Sequence, residues 1–267
     1  MPEDFVMGES TAMTPLSLNR RLNILNIWVD SVNMEQSLAR IKGYLEQSGK
    51  PHSIFAVNPE KCFSVPTDPL LKETFRAADM LIPDGVGIVL AARILHGVKL
   101  SRVPGVELVE QICEFAARNG NRVFIFGGKE DVNRKAAAIL RERYPRLQIA
   151  GRCNGYVEED EMPAVIEKIN GSAAEILFLA LGSPKQEKWF ASHKDRLTTV
   201  KVCQGIGGTL DTIAGNVRRA PMIWRKCCAE WLYRLITEPM RIRRQKVLPV
   251  FAFRVFASKM KLLLSNG

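Results

Sequence analysis

The sequence predicts a doubly wound α/β fold: a Rossmann-like, mainly parallel sheet covered by helices on both faces, followed by a basic helical appendage at the C-terminus. Three observations carry this. Apolar runs of four to seven residues alternate with stretches of 10–15 residues that have helical periodicity. The runs stay apolar instead of alternating with polar residues, which marks strands buried on both faces. Most of them stop at Gly, Pro or Asn, the residues of tight strand-to-helix turns.

Taken in order, residues 1–20 carry no periodic pattern and read as a flexible N-terminus; with no basic start and no apolar core they are not a secretory signal. Asn23–Val29 is a short apolar run, followed by a helix-like stretch to about Ser48. Ser53–Val57 is a strand that stops at Asn58-Pro59. Leu70–Ala78 is helical, and Met80–Ile82 is a short strand ending at Pro83-Asp84-Gly85. Helical spacing recurs through Gly87–Leu95 and Val106–Ala117. Arg122–Phe126 is a strand ending in Gly127-Gly128, and Val132–Tyr144 an amphipathic helix. Leu147–Ala150 and Glu175–Leu181 are strands on either side of a helix over Met162–Asn170. A further helix begins near Pro184, where a first-turn proline removes no hydrogen bond. Val200–Cys203 is the last strand, ending in Gly205-Ile206-Gly207-Gly208.

Charge divides the chain at Arg218. From Arg218 onward stand twelve basic residues against two acidic ones, a local charge of +10 that equals the formal charge of all 267 residues; the remaining 26 basic and 26 acidic groups balance. The expected organisation is therefore a flexible segment over 1–20, a neutral α/β domain over 21–217, and a basic amphipathic appendage over 218–267. At 46% hydrophobic and 25% charged, the composition excludes a disordered chain. Six cysteines include no C-x-x-C pair, and three histidines supply no cluster, so no zinc site is expected and the cysteines read as buried thiols in a reducing compartment. The longest apolar stretch, Val247–Leu264, is broken by Pro249, Arg254, Lys259 and Lys261, so no membrane span is expected.

In open α/β sheets, ligands bind at the carboxyl ends of the strands. Five strand ends carry candidates: Asn58-Pro59-Glu60, Pro83-Asp84-Gly85, Gly127-Gly128-Lys129, Gly182-Ser183-Pro184-Lys185-Gln186 and Gly205-Ile206-Gly207-Gly208-Thr209. Such glycines either let backbone N–H groups approach a phosphate or simply make tight turns. Asp84 is either a carboxylate in the crevice, able to act as a general base or hold a ribose, or the N-cap of the next helix. Gln186 is either a solvent-facing helical residue or a donor to a ligand. The third glycine of G-x-G-x-x-G is missing after Gly205-x-Gly207, which weakens a nicotinamide dehydrogenase, and no P-loop exists.

Ordered motifs then carry a resemblance: Val57-Asn58-Pro59-Glu60-Lys61, Ile82-Pro83-Asp84-Gly85-Val86-Gly87, Arg102-Val103-Pro104-Gly105, Phe124-Ile125-Phe126-Gly127-Gly128-Lys129, Leu181-Gly182-Ser183-Pro184-Lys185-Gln186-Glu187 and Gly205 through Gly215, with a further match from Arg219 to Arg241. The chain resembles the bacterial glycosyltransferases grouped around the teichoic acid N-acetylmannosaminyltransferase, the enterobacterial common antigen N-acetylmannosaminuronic acid transferase and the capsule and xanthan-type exopolysaccharide transferases. The resemblance implies inverting transfer from a UDP-sugar to a polyprenyl-diphosphate-linked saccharide at the cytoplasmic membrane face, with no metal and no cofactor beyond the UDP-sugar substrate. It implies Asp84 as base, Asn58, Arg102 and Gln186 in the pocket, and Arg234, Arg241 and Arg244 near the diphosphate. Gly127, Gly128, Gly182, Gly207 and Gly208 are the expected backbone contacts. One departure is Ala56, where the family usually has threonine.

The basic tail has three readings: a lipid surface, a nucleic acid, or a solvated helix packed on one face. Because the implied acceptor is a lipid, the membrane surface is favoured and no nucleic-acid partner is expected; a homo-oligomer is compatible with either. The competing function is a non-catalytic, nucleotide-binding module recruited to the membrane.

Overall fold

The computed structural model describes residues 21–217, 220–226, 230–237 and 246–265. The N-terminal 20 residues, Arg241 and Arg244 lie outside them, as does the side chain of Arg234. The chain opens with β1 (Arg21–Ile24), β2 (Ile27–Asp30) and α1 (Met34–Glu46). It continues through β3 (His52–Val57), α2 (Lys61–Ser64), α3 (Pro69–Ala77), β4 (Met80–Pro83), α4 (Val86–His96), α5 (Gly105–Asn119), β5 (Arg122–Gly127), α6 (Glu130–Arg143), β6 (Gln148–Cys153) and α7 (Met162–Gly171). The rest is β7 (Ile176–Ala180), α8 (Lys185–His193), β8 (Val202–Gly205), α9 (Thr209–Ile213), α10 (Met222–Lys226), α11 (Glu230–Thr237) and α12 (Val247–Ser265).

Strands β3 to β8 form one six-stranded sheet in the order β4-β3-β8-β7-β5-β6, with every neighbouring pair parallel. Successive residues on each strand feed opposite layers, which is why the runs are apolar throughout. Phe55, Leu81, Phe124, Leu177 and Cys203 face α3, α4, α7 and α8. Ile54, Met80, Val123, Ile176 and Val202 face α1, α5, α6 and α9. The expected α/β architecture is present, with a helix at the C-terminus.

One expectation is corrected. Asn23–Val29 is not a single run: it is the middle of an antiparallel hairpin, with Ile24 paired to Ile27. Leu25 and Asn26 turn the chain with φ of +50° and +69°, the two-residue geometry that suits the twist of paired strands. The usual Asn-Gly signature is absent, so the turn was hidden in an apolar run. Leu22, Ile24, Ile27 and Val29 bury the hairpin in the core. Asp30 ties it to the sheet by accepting from Leu81 N at 2.7 Å and from Arg40 at 3.1 Å.

The last helix, α12, packs along α4. It buries Phe251 and Val255 in the body's core and leaves Phe253 72% exposed, with Phe256, Met260, Leu263 and Leu264 also exposed. Among the described residues no helix is long and apolar enough to cross a membrane. Cys62, Cys113, Cys153 and Cys203 are free thiols. Burial pushes the Cys62 and Cys113 thiols up to about 12, which removes thiolate reactivity at neutral pH.

Candidate active site

The carboxyl ends of β3, β4, β7 and β8 surround an open cleft of about 340 Å³, within the range of small-molecule sites. Strand order explains its place. The chain leaves β3 for helices on one layer and β8 for α9 on the other, so the connections of these neighbouring strands part between them, a crevice of the kind in which such sheets hold ligands.

Asn58 follows β3 directly. Its Oδ1 accepts from Lys61 N at 3.1 Å, which closes the turn into α2 and leaves the residue on the cleft wall. Asp84 follows β4, and its backbone N donates to Val57 O at 2.9 Å, so the two strand ends are locked side by side. The cap position of α4 falls on Gly85, with no side-chain cap. Of its two readings, Asp84 is therefore the half-buried crevice carboxylate and not the N-cap. Arg102 enters the cleft from the segment between α4 and α5, anchored where Val103 N donates to Pro83 O at 2.8 Å.

Gln186 is buried on the first turn of α8 and is not solvent-facing. Its Oε1 accepts from Gly207 N at 2.9 Å. Its Nε2 lies where a Cβ on Gly205 would come within 2.5 Å. Gln186 thus braces the glycine loop after β8, and Gly207 and Gly208 line the cleft beside it. Gly127, Gly128 and Gly182 do not line the cleft. They sit at the ends of β5 and β7, where Gly128 N donates to Ala180 O at 3.0 Å.

Two residues that the sequence did not single out sit in the same cleft. Lys61, 5% exposed, and Glu187, 1% exposed, form an ion pair at 2.5 Å. Lys61 Nζ also donates to Ser183 Oγ and lies 4.9 Å from the centre of the Phe75 ring. Burial pushes the Lys61 ammonium below the ordinary lysine value, while Glu187 beside it pulls it back up. The only sequence signal was that both close a motif, Val57–Lys61 and Leu181–Glu187. Trp231 of α11 reaches the cleft as well, and Ala56 lies on its wall. Among the described residues, no three His, Cys, Asp or Glu side chains converge to hold a metal ion.

Fold and cleft together define an α/β protein whose parallel sheet carries, at its carboxyl edge, a cleft lined by a carboxylate and an arginine. The chain matches the glycosyl transferase WecG/TagA/CpsF family over residues 22–264 and belongs to it; it is a glycosyltransferase. It is 33% identical over 244 residues to the N-acetylglucosaminyldiphosphoundecaprenol N-acetyl-beta-D-mannosaminyltransferase of Staphylococcus aureus strain MRSA252, covering 91% of this chain and 94% of that protein. To the protein of the same name from strain NCTC 8325 / PS 47 it is 32% identical over the same length.

Proposed function

We propose that the chain transfers a sugar from a UDP-sugar to a polyprenyl-diphosphate-linked saccharide with inversion at the anomeric carbon, as a step in cell-surface polysaccharide synthesis. The observation that carries this is the convergence of Asn58, Asp84, Arg102 and Gln186 on one cleft in a member of this family. The relatives' name, with its diphosphoundecaprenol-linked N-acetylglucosamine, supports the acceptor class.

Inversion is one displacement. The acceptor hydroxyl attacks the anomeric carbon as its bond to UDP breaks, and Asp84 takes the hydroxyl proton. The departing diphosphate gathers negative charge, which Arg102 stabilises together with Arg234, Arg241 and Arg244 of the appendage. In this reading neither a metal ion nor a cofactor takes part. Trp231 on the cleft wall supports a role for the appendage in completing the site. A panel of UDP-sugars (N-acetylmannosamine, glucose and glucuronic acid) with a lipid-diphosphate acceptor analogue, read by mass spectrometry, tests the reading. Transfer from one donor is expected, and Ala56 on the cleft wall makes its identity the informative result. UDP affinity without transfer from any donor would assign a binding module instead.

The same reading places the protein on the inner face of the membrane. The exposed face of α12 sets Phe253, Phe256, Met260, Leu263 and Leu264 beside Lys259 and Lys261, a composition suited to an anionic interface. Flotation with anionic liposomes is expected at low salt and to weaken at high salt. Arg241→Ala and Arg244→Ala are expected to lower turnover more than flotation. Lost flotation with intact turnover in detergent would assign those arginines to anchoring, and salt-sensitive DNA binding without flotation would overturn the membrane reading.

A further inference from the structure

Glu187 Oε2 is enclosed by protein yet has no hydrogen-bond partner. Its twin, Oε1, takes the Lys61 ammonium at 2.5 Å and faces the Gln186 amide at 3.4 Å. Buried polar atoms are nearly always paired, and an unpaired one next to a charge is costly. Lys61 offsets the charge but reaches only one oxygen. Both residues line the cleft.

We infer that Glu187 is a substrate-binding residue of the cleft, whose Oε2 accepts a hydrogen bond from an O–H or N–H of the bound UDP-sugar, and that Lys61 is the positioning residue that fixes the carboxylate for this contact. The inference rests on the UDP-sugar reading above and deepens it. An ionised carboxylate only accepts, so its partner is a neutral donor and not the diphosphate, which it repels. Arg102, held between α4 and α5, suits the diphosphate. The cleft is therefore polarised, with hydroxyl- or imide-bearing groups directed to the β7–α8 side. The ties are built for placement. Lys61 sits on the turn that Asn58 closes, Glu187 adjoins Gln186, and Gln186 holds the glycine loop. One buried pair thus connects the loops after β3, β7 and β8.

The test is Glu187→Gln. The Lys61 ammonium holds the amide oxygen toward itself, which turns the amide NH₂ to the place of Oε2, a donor where an acceptor is required. Dissociation constants for UDP and for the UDP-sugar, with kcat and KM for transfer, are compared with the wild type. The expected result is a rise of about 10- to 100-fold in the donor KM and dissociation constant, with a smaller change in kcat. If the contact is to the sugar, UDP alone binds as before, and a donor lacking the contacted hydroxyl loses as much in the wild type and nothing further in Glu187→Gln. If it is to the nucleoside, UDP weakens equally, and N3-methyl-UDP shows that pattern. Unchanged donor binding in a folded variant overturns the inference and leaves the UDP-sugar reading intact. Failure of the wild type to bind UDP or any UDP-sugar overturns the UDP-sugar reading, and the inference falls with it. Should the variant not fold, the wild type bound to its donor decides: a ligand O–H or N–H is expected about 3 Å from Oε2, and an occupied cleft with Oε2 still unpaired refutes it.

Discussion

Asp84→Asn is expected to lower kcat by about 10²- to 10⁴-fold, the usual contribution of a positioned general base, while the dissociation constant for the UDP-sugar stays within about threefold. Asparagine keeps the size and polarity of the side chain but cannot take the acceptor's proton. The backbone anchors at this position are kept. Asp84 is held by its backbone N–H on Val57 O, which asparagine retains. The cap of α4 is Gly85, so no helix end is uncapped. Single-turnover transfer in the presence of saturating donor, with donor affinity measured separately, checks both halves. Near-normal transfer would remove Asp84 from the base role. A loss confined to donor binding would instead assign it to a ribose hydroxyl.

The parallel sheet was legible because each buried strand is an apolar run closed by a turn residue, and because Asp84 and Asn58 are polar residues placed directly after such runs. The hairpin was not legible, because Leu25-Asn26 is apolar on one side and lacks glycine, so two strands of four residues merged into one run. Lys61 and Glu187 were not legible for a different reason. They stand 126 positions apart, and each looks like a charged residue in the first turn of a helix, where solvent exposure is the default. Only the parallel order that brings β3 and β7 to the two flanks of β8 makes them a buried pair. Gln186 illustrates the same limit: its place on the helix was readable, but its bond to Gly207 depends on which loop lies above α8.

Gly127→Ala is expected to destabilise the protein by about 3–5 kcal/mol, and this separates the two readings of the glycine turns. Gly127 pairs with Ala180 across β5 and β7. A Cβ there would lie 2.4 Å from the Ala180 carbonyl carbon and 2.5 Å from its oxygen, with φ at +125°. The obstacle is backbone at the carboxyl end of an interior strand, which cannot rotate aside, so overpacking and an unfavourable φ act together. Gly182→Ala is the control: its φ is +75° but nothing lies within 4 Å of the added carbon, so only the left-handed strain of about 1–2 kcal/mol applies. Chemical unfolding of the two variants beside the wild type gives the comparison. A much larger loss at Gly127 means that this glycine exists for close strand packing, whereas Gly207 and Gly208, in the loop after β8, line the cleft. A Gly127→Ala protein with an unchanged midpoint and lost UDP affinity would return Gly127 to the binding site.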